Sequence, residues 1–308
     1  MKTFSIIIAV KEFNKNLEKC LEGCLNLDHK NYEIIVLPDL GFKRDSRIKQ
    51  IVTGNVSPAE KRDIGAEYSD SEILAFIDDD AFPREDWLKK AEKYFQRPDT
   101  VAVGGPGVEH PNDSKRQKAS DLVLSSFIGS GSMRRRYKPG KEAEIIDHPT
   151  CNLFIRKKAF ESIGGFDTKY WPGEDTKLCN SLVKSGRKIV YAPDIVVYHH
   201  RRNLFKPHLK QIWRYGFYRG VFAKRFPETS RKVSFFLPSV LVLLMLFGWL
   251  SVFINNLVFY VYASFISIYL LASFLTAIRN VKFFYLTFPG IISTHIVYGI
   301  AFIHGIFK

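Results

Sequence analysis

Asp78, Asp79 and Asp80 follow directly on the apolar run Ile73 to Ile77 and are themselves followed by Ala81, Phe82 and Pro83. Three adjacent carboxylates repel one another unless a cation neutralises them. In an extended segment Asp78 and Asp80 point the same way. Two oxygen donors on one side suit a divalent ion that keeps water or phosphate in its other positions. Taken alone, the triplet fits a solvated acidic turn equally well. A second candidate is Glu174-Asp175, which opens a helix-period stretch ended by Gly186. The helix dipole favours a carboxylate in the first turn, so its pKa is expected to be lowered and the group ionised. Its chemistry is either helix capping or that of a general base at the mouth of a cleft. His199 and His200 close another apolar run and read either as structural histidines or as the completion of a metal site.

The elements that must position these groups alternate along the chain. Strand-like runs occur at 4–10, 32–37, 73–77, 101–103, 151–155 and 189–198. Between them lie helix-period stretches. Leu17, Leu21 and Cys24 share one helical face, and Ser57-Pro58-x-Glu60 supplies an N-cap, a first-turn proline and an N3 acid. Residues 85–95 and 175–185 give two further helices. Strands alternating with helices predict an α/β domain with a mostly parallel sheet covered on both faces. Ligands of such sheets bind at the carboxyl ends of strands, where the acidic triplet falls.

The order of these motifs resembles the family 2 glycosyltransferases of the GT-A fold, over roughly residues 3–215. SIIIAVKEFNKNLEKCLEGCL resembles the family's first strand and helix, and IDDDAFP its Asp-x-Asp segment. CNLFIRKKAFESIGGFD resembles its acceptor-side segment and GEDTKL its Glu-Asp motif. The resemblance implies that Asp78 and Asp80, with His199, hold Mg²⁺ or Mn²⁺, with Asp80 foremost. It implies donor contacts from Ala9, Val10, Glu12, Asp39, Arg62, Asp78 and Asp79, with Asp39 at the nucleobase. Asn152, Gly165, Phe166 and Asp167 fall on the acceptor side. Asp175, beside Glu174, matches the base that deprotonates the acceptor hydroxyl, and a single base with direct displacement implies inversion at the anomeric carbon. The chain departs from the family at Ala9 and Glu12-Phe13, where proline and Asn-Glu are usual, and at Lys61-Arg62-Asp63-Ile64-Gly65, which replaces Ala-Arg-Asn-x-Gly. Gln211, Arg214 and Tyr215 resemble the Gln-x-x-Arg-Trp motif of processive polysaccharide synthases, with Tyr for Trp.

Charge and hydropathy locate the activity. The 308 residues carry a net charge of +14, and a hydrophobic share of 46% excludes a disordered polycation. Residues 201–232 hold ten basic side chains and one acid, so nine of the fourteen charges lie in this stretch. Its interleaved aromatics predict an interfacial amphipathic segment on anionic lipid and disfavour nucleic acid as a partner. Residues 233–308 contain no acid, and 234–254, 257–278 and 283–307 form three uncharged runs long enough to span a bilayer. The third contains Pro289 and three glycines and is expected to be kinked or partly re-entrant. Basic residues before the first run, together with Arg279 and Lys282, place residues 1–232 in the cytoplasm and, with three spans, Lys308 outside. No signal peptide is evident, and the four cysteines show no zinc spacing. Gly129 to Arg136 joins glycines to Arg134, Arg135 and Arg136. It reads either as a solvated basic loop or as a lid gripping a phosphate.

The expectation is a membrane-anchored, metal-dependent inverting glycosyltransferase with its site on the cytoplasmic face of the cell membrane. Its catalytic domain covers 1–200, its interfacial segment 201–232 and its transmembrane region 233–308. The donor is a nucleotide sugar, a UDP-sugar first and a GDP- or dTDP-sugar as alternatives. The acceptor is lipid-linked or a growing glycan. Alternatives are a polyprenyl-phosphate glycosyltransferase, a processive polysaccharide synthase and a membrane-bound nucleotidyltransferase.

Overall fold

The computed structural model describes residues 2–43, 45–167 and 170–308. Its strands are β1 Phe4–Ala9, β2 Tyr32–Leu37, β3 Ile48–Gln50, β4 Ile73–Ile77, β5 Ala81–Pro83, β6 Thr100–Gly104, β7 Gly107–Glu109, β8 Ala143–Ile145, β9 Asn152–Arg156, β10 Lys188–Tyr191 and β11 Val197–His199. Its helices are α1 Lys15–Leu25, α2 Pro58–Glu67, α3 Trp87–Tyr94, α4 Lys115–Leu124, α5 Phe127–Ser130, α6 Lys157–Ser162, α7 Glu174–Lys184, α8 Lys206–Arg225, α9 Pro227–Ser230, α10 Val233–Phe247, α11 Asn256–Ile278 and α12 Phe284–Ile306.

The chain forms two compact units. The first comprises residues 1–110 and 135–200 and contains all the strands named above. Eight of them form one sheet in the order β3-β2-β1-β4-β9-β6-β10-β8. It is parallel from β3 through β4 and again between β6 and β10, while β9 and β8 run against their neighbours. Both faces are apolar because both are covered. Ile6, Ile8, Val36, Ala75 and Ile77 pack with Leu17, Cys20 and Leu21 of α1 and with Trp87 and Leu88 of α3. The alternate residues Ile7, Ile35, Leu37, Leu74 and Phe76 pack with α2, α6 and α7. Gly65 lets α2 approach closely, since a Cβ there would stand 2.7 Å from Ile7 Cγ2. Ser57 Oγ caps α2 by accepting from Glu60 N, with Pro58 in the first turn.

One expected strand divides. The run 189–198 is broken by Ala192-Pro193, and a proline offers no N–H to a ladder. β10 stays in the large sheet, while β11 joins a three-stranded sheet, β5-β11-β7. Besides β11, the three-residue strands β3, β5, β7 and β8 are too short to leave a period of their own in the sequence.

The second unit comprises residues 111–134 and 201–308, so residues 111–134 leave the expected 1–200 domain. Its axis is α12, continuous through Pro289. α8 runs beside it in the same direction. Leu204 lies at Gly290, His208 hydrogen-bonds Thr294 at 2.9 Å and Ser120 at 2.8 Å, and Gly216 lies at Tyr298 and Ala301. Gly220 packs so closely that a Cβ would stand 2.2 Å from Phe302 O. The apolar face of this basic helix, expected at lipid, is therefore turned in part onto protein: His208, Ile212, Gly216, Gly220, Val221, Phe222 and Ala223 are buried. Segments Val233–Phe253, Asn256–Ile278 and Val281–Ile306 are each long and apolar enough to cross a membrane.

Candidate active site

The site begins where β4 ends. The chain turns at Asp79-Asp80, with Ala81 N donating to Asp78 O at 3.1 Å, so Asp78 and Asp80 converge through a tight turn rather than along an extended strand. β5 then pairs antiparallel with β11 in a register that sets His199 opposite Ala81. That register brings His199 Nε2 to 3.0 Å from Asp80 Oδ1. One ligand atom from each of Asp78, Asp80 and His199 lies within 4.8 Å of the others. Two carboxylates and an imidazole, each partly open to solvent, fit a divalent cation that retains water or phosphate positions. Asp79 turns away, accepting from Asn14 Nδ2 at 3.2 Å, and burial followed by the Asp80 charge raises its pKa. His200 packs against His110, with ring centroids 4.2 Å apart and the planes tilted by 41°.

Arg62, buried on α2, ties this cluster to the Glu-Asp pair. Its Nη2 donates to Asp78 Oδ1 at 2.9 Å and its Nη1 to Glu174 Oε1 at 3.2 Å. Burial disfavours its charge, yet Asp78, Glu174 and Asp175 outweigh burial and raise its pKa. The guanidinium also lies over the Phe166 ring, 5.8 Å from the centroid. Asp63, one residue on, accepts from Phe166 N at 2.9 Å and occupies the space a Cβ on Gly165 would need. Lys177 donates to Phe166 O and Asp167 O, both at 2.9 Å. The Gly165-Phe166-Asp167 turn is thus clamped between α2 and α7.

Glu174 is buried, while Asp175 is half-buried and accepts from Thr176 N at 2.7 Å. Contrary to the dipole expectation, the Asp175 pKa is pushed up to about 7. Burial contributes most, then the charges of Glu174 and Asp147, while Arg136 opposes them. Desolvation and two like charges exceed what one helix terminus supplies. Such a carboxyl is poised to take a proton near neutral pH.

Asp147 carried no motif in the sequence. Its Oδ1 accepts from Thr176 Oγ1 at 3.2 Å and pairs with Arg136 Nη2 at 3.0 Å. Arg136 therefore joins the Asp175 side of the site, whereas Arg134 belongs to the second unit and lies over Phe127, and Arg135 is exposed. Residues 127–136 are folded as α5 and a 3₁₀ turn rather than an open glycine loop.

Of the residues expected at the donor, Val10 and Asp39 lie at the carboxyl ends of β1 and β2, beside the switch point where β1 is flanked by β2 and β4. Lys61, the departure from the family motif, is buried and pairs with Asp39 while donating to Val10 O at 2.6 Å. Ala9 is half-buried and Glu12 exposed. Asn152, expected among the acceptor contacts, lies in the core. It is fully buried and its amide is engaged internally, accepting from Trp87 Nε1 at 2.9 Å and donating to Ile195 O at 2.8 Å and Pro106 O at 3.2 Å. It is a core clamp rather than an acceptor contact. Gln211, Arg214 and Tyr215 lie on α8 of the second unit, where Gln211 Nε2 donates to Tyr215 Oη at 3.0 Å.

The family model "Glycosyl transferase family 2" matches residues 5–164. A Pre-mycofactocin glycosyltransferase of Mycobacterium tuberculosis is 28% identical over 173 residues, 56% of this chain, which spans only 36% of that protein's length. A dolichyl N-acetyl-α-D-glucosaminyl phosphate 3-β-D-2,3-diacetamido-2,3-dideoxy-β-D-glucuronosyltransferase of Methanococcus voltae is 25% identical over 287 residues, covering 85% of this chain and 84% of that one. Among solved structures, a mannosyltransferase from Pyrobaculum calidifontis in complex with GDP-Man and Mn²⁺ superimposes with a TM-score of 0.57 at 16% identity, over 98% of this chain and 86% of that one.

Proposed function

The chain belongs to glycosyl transferase family 2, and from that premise we propose that it is a membrane-anchored inverting enzyme. It moves a sugar from a nucleoside-diphosphate sugar to a lipid-linked or growing glycan acceptor at the cytoplasmic face. The observation that carries this reading is Arg62, which holds Asp78 of the metal-ligand group and Glu174 of the Glu-Asp pair in one site. Asp78, Asp80 and His199 would hold a divalent ion, Mg²⁺ or Mn²⁺, whose chemistry is to neutralise the diphosphate leaving group. Asp175 receives the proton of the acceptor hydroxyl as that oxygen attacks the anomeric carbon. With one base and a single displacement, the product is inverted. Arg62 holds Asp78 and Glu174 in place, while Asp147 and Arg136 set the basicity of Asp175.

A lipid-linked acceptor is supported by the names of relatives, which include the dolichyl-phosphate-linked enzyme above and a glucosyl-dolichyl phosphate glucuronosyltransferase of Haloferax volcanii, 24% identical over 191 residues. The apolar C-terminal helices are the membrane anchor in this reading. Its test is to incubate the purified full chain with UDP-, GDP- and dTDP-sugars and lipid-linked acceptors, and to identify products by mass spectrometry. The expected result is an acceptor longer by one sugar, with release of a nucleoside diphosphate. Release of pyrophosphate points to nucleotidyl transfer, a polyprenyl monophosphate sugar to the simpler lipid reaction, and a long polymer to a processive synthase. Each of those outcomes overturns the proposal.

A further inference from the structure

We propose that the second unit crosses the bilayer twice, through α10 with its 3₁₀ extension Gly248–Phe253 and through α11. In this arrangement α12 lies along the membrane–water interface beneath α8 instead of forming a third span. This rests on the membrane reading above and departs from the three-span topology expected from hydropathy alone.

α12 is packed along α8. α8 follows it in the same direction, from Leu204 at Gly290, through His208 at Thr294, to Gly220 at Phe302 and Gly305. Twenty helical residues extend about 30 Å, the thickness of the hydrocarbon layer. A crossing by α12 would therefore carry α8 through the bilayer with it. Lys206, Lys210, Arg214, Lys224 and Arg225 are exposed on α8, and Lys210 and Arg214 would sit at hydrocarbon depth, where charges are strongly disfavoured. With α12 in the plane of the interface, the same cations meet water and lipid phosphates.

Successive spans alternate, so the first and third of three must run parallel. Here α10 runs against α12: Phe236 meets Phe302 with ring centroids 4.9 Å apart, and farther along α10 Ser239 Oγ donates to Gly299 O at 3.1 Å. α11 contacts the other half of α12. Tyr269 hydrogen-bonds His295 at 2.9 Å, and Phe274 meets Phe284 and Phe288 at 5.3 and 6.2 Å. α10 thus departs from the C-terminal half of α12, and α11 returns to its N-terminal half. The pair forms a hairpin that stands on α12 as its base. Burial agrees: the most apolar window of α11 is 6% buried, leaving it to lipid, against 39% for that of α12.

The two arrangements differ in where Lys308 ends. Two spans put Ile254 and Lys308 on opposite sides of the membrane; three spans put them on the same side. Ile254→Cys and Lys308→Cys, made separately in the full chain, are to be labelled with a membrane-impermeant maleimide in intact cells and after permeabilisation, with the label mapped by mass spectrometry. The expected result is that one position reacts in intact cells and the other only after permeabilisation. Identical behaviour of both in a membrane-bound chain overturns the two-span arrangement alone. Recovery of the chain in the soluble fraction without detergent overturns the membrane reading as well. Protease protection of a C-terminal epitope tag reads the same sidedness without altering any residue and decides the matter if either variant fails to fold.

Discussion

Arg62 donates through Nη2 to Asp78 Oδ1 at 2.9 Å, so a carboxylate placed to bind a metal is already held by a buried cation that also grips Glu174. Arg62→Ala leaves a buried Glu174 without its counter-ion. Removing one partner of a buried pair costs about 3–5 kcal/mol. The variant should therefore unfold at a clearly lower temperature in detergent, and Arg62→Lys, which keeps the charge but not the fork, should fall between it and the native chain.

Asp80→Asn removes a ligand charge, and His199→Ala a donor, from the candidate cation site. The Mg²⁺ or Mn²⁺ concentration giving half-maximal turnover should rise by about 100-fold or more. A chelator should abolish turnover in the native chain, and added ion should restore it. Turnover untouched by chelation would remove the metal from the proposal.

Asp175→Asn should lower turnover by about 10²–10⁴-fold, the span a positioned general base supplies, with donor binding retained. In the native chain kcat/KM should climb as pH passes about 7 and then level off, because the base acts ionised. Stability runs the other way. A carboxyl whose folded pKa lies above its unfolded value contributes stability below the ordinary Asp range, and that contribution is lost as pH rises to about 7. Above pH 7 Asp175→Asn should thus melt at a higher temperature than the native chain.

Asp175 faces Glu174 and Asp147 as like charges, Arg136 and Arg62 as cations, and Cys179, whose thiol burial keeps neutral. Asp147→Asn should therefore move the limb of the kcat/KM profile to lower pH, and Arg136→Ala should move it to higher pH. Opposite shifts distinguish tuning of the base from general damage to the fold, which would lower the plateau without moving the limb.

The acidic triplet and His199 were legible because they stand at the ends of apolar strand runs, and the Glu-Asp pair because it opens a clear helical period. Asp147 was not. It follows a three-residue strand with no motif, and its proximity to Asp175 arises only when Thr176 and Arg136 close on it. Asn152 was misread for a related reason: a polar residue inside a matched segment looks exposed to substrate until Trp87, Pro106 and Ile195 are seen to occupy its amide. Lys61 was visible only as a departure from a pattern, and the structure turns it into a partner for Asp39.

By itself the sequence determined the α/β alternation, the charged collar at 201–232 and three apolar runs, because hydrophobic period and local charge are properties of neighbouring residues. Only the tertiary structure decided which carboxylate became the weak acid and in which direction the apolar helices pack. The pKa of Asp175 depends on burial and on charges 28 and 39 residues away, at Asp147 and Arg136. The sense of α10 and α8 against α12 depends on contacts such as Phe236 with Phe302 and His208 with Thr294. Electrostatic fields and helix packing act through space, and no local pattern of residue types encodes the distances on which they depend.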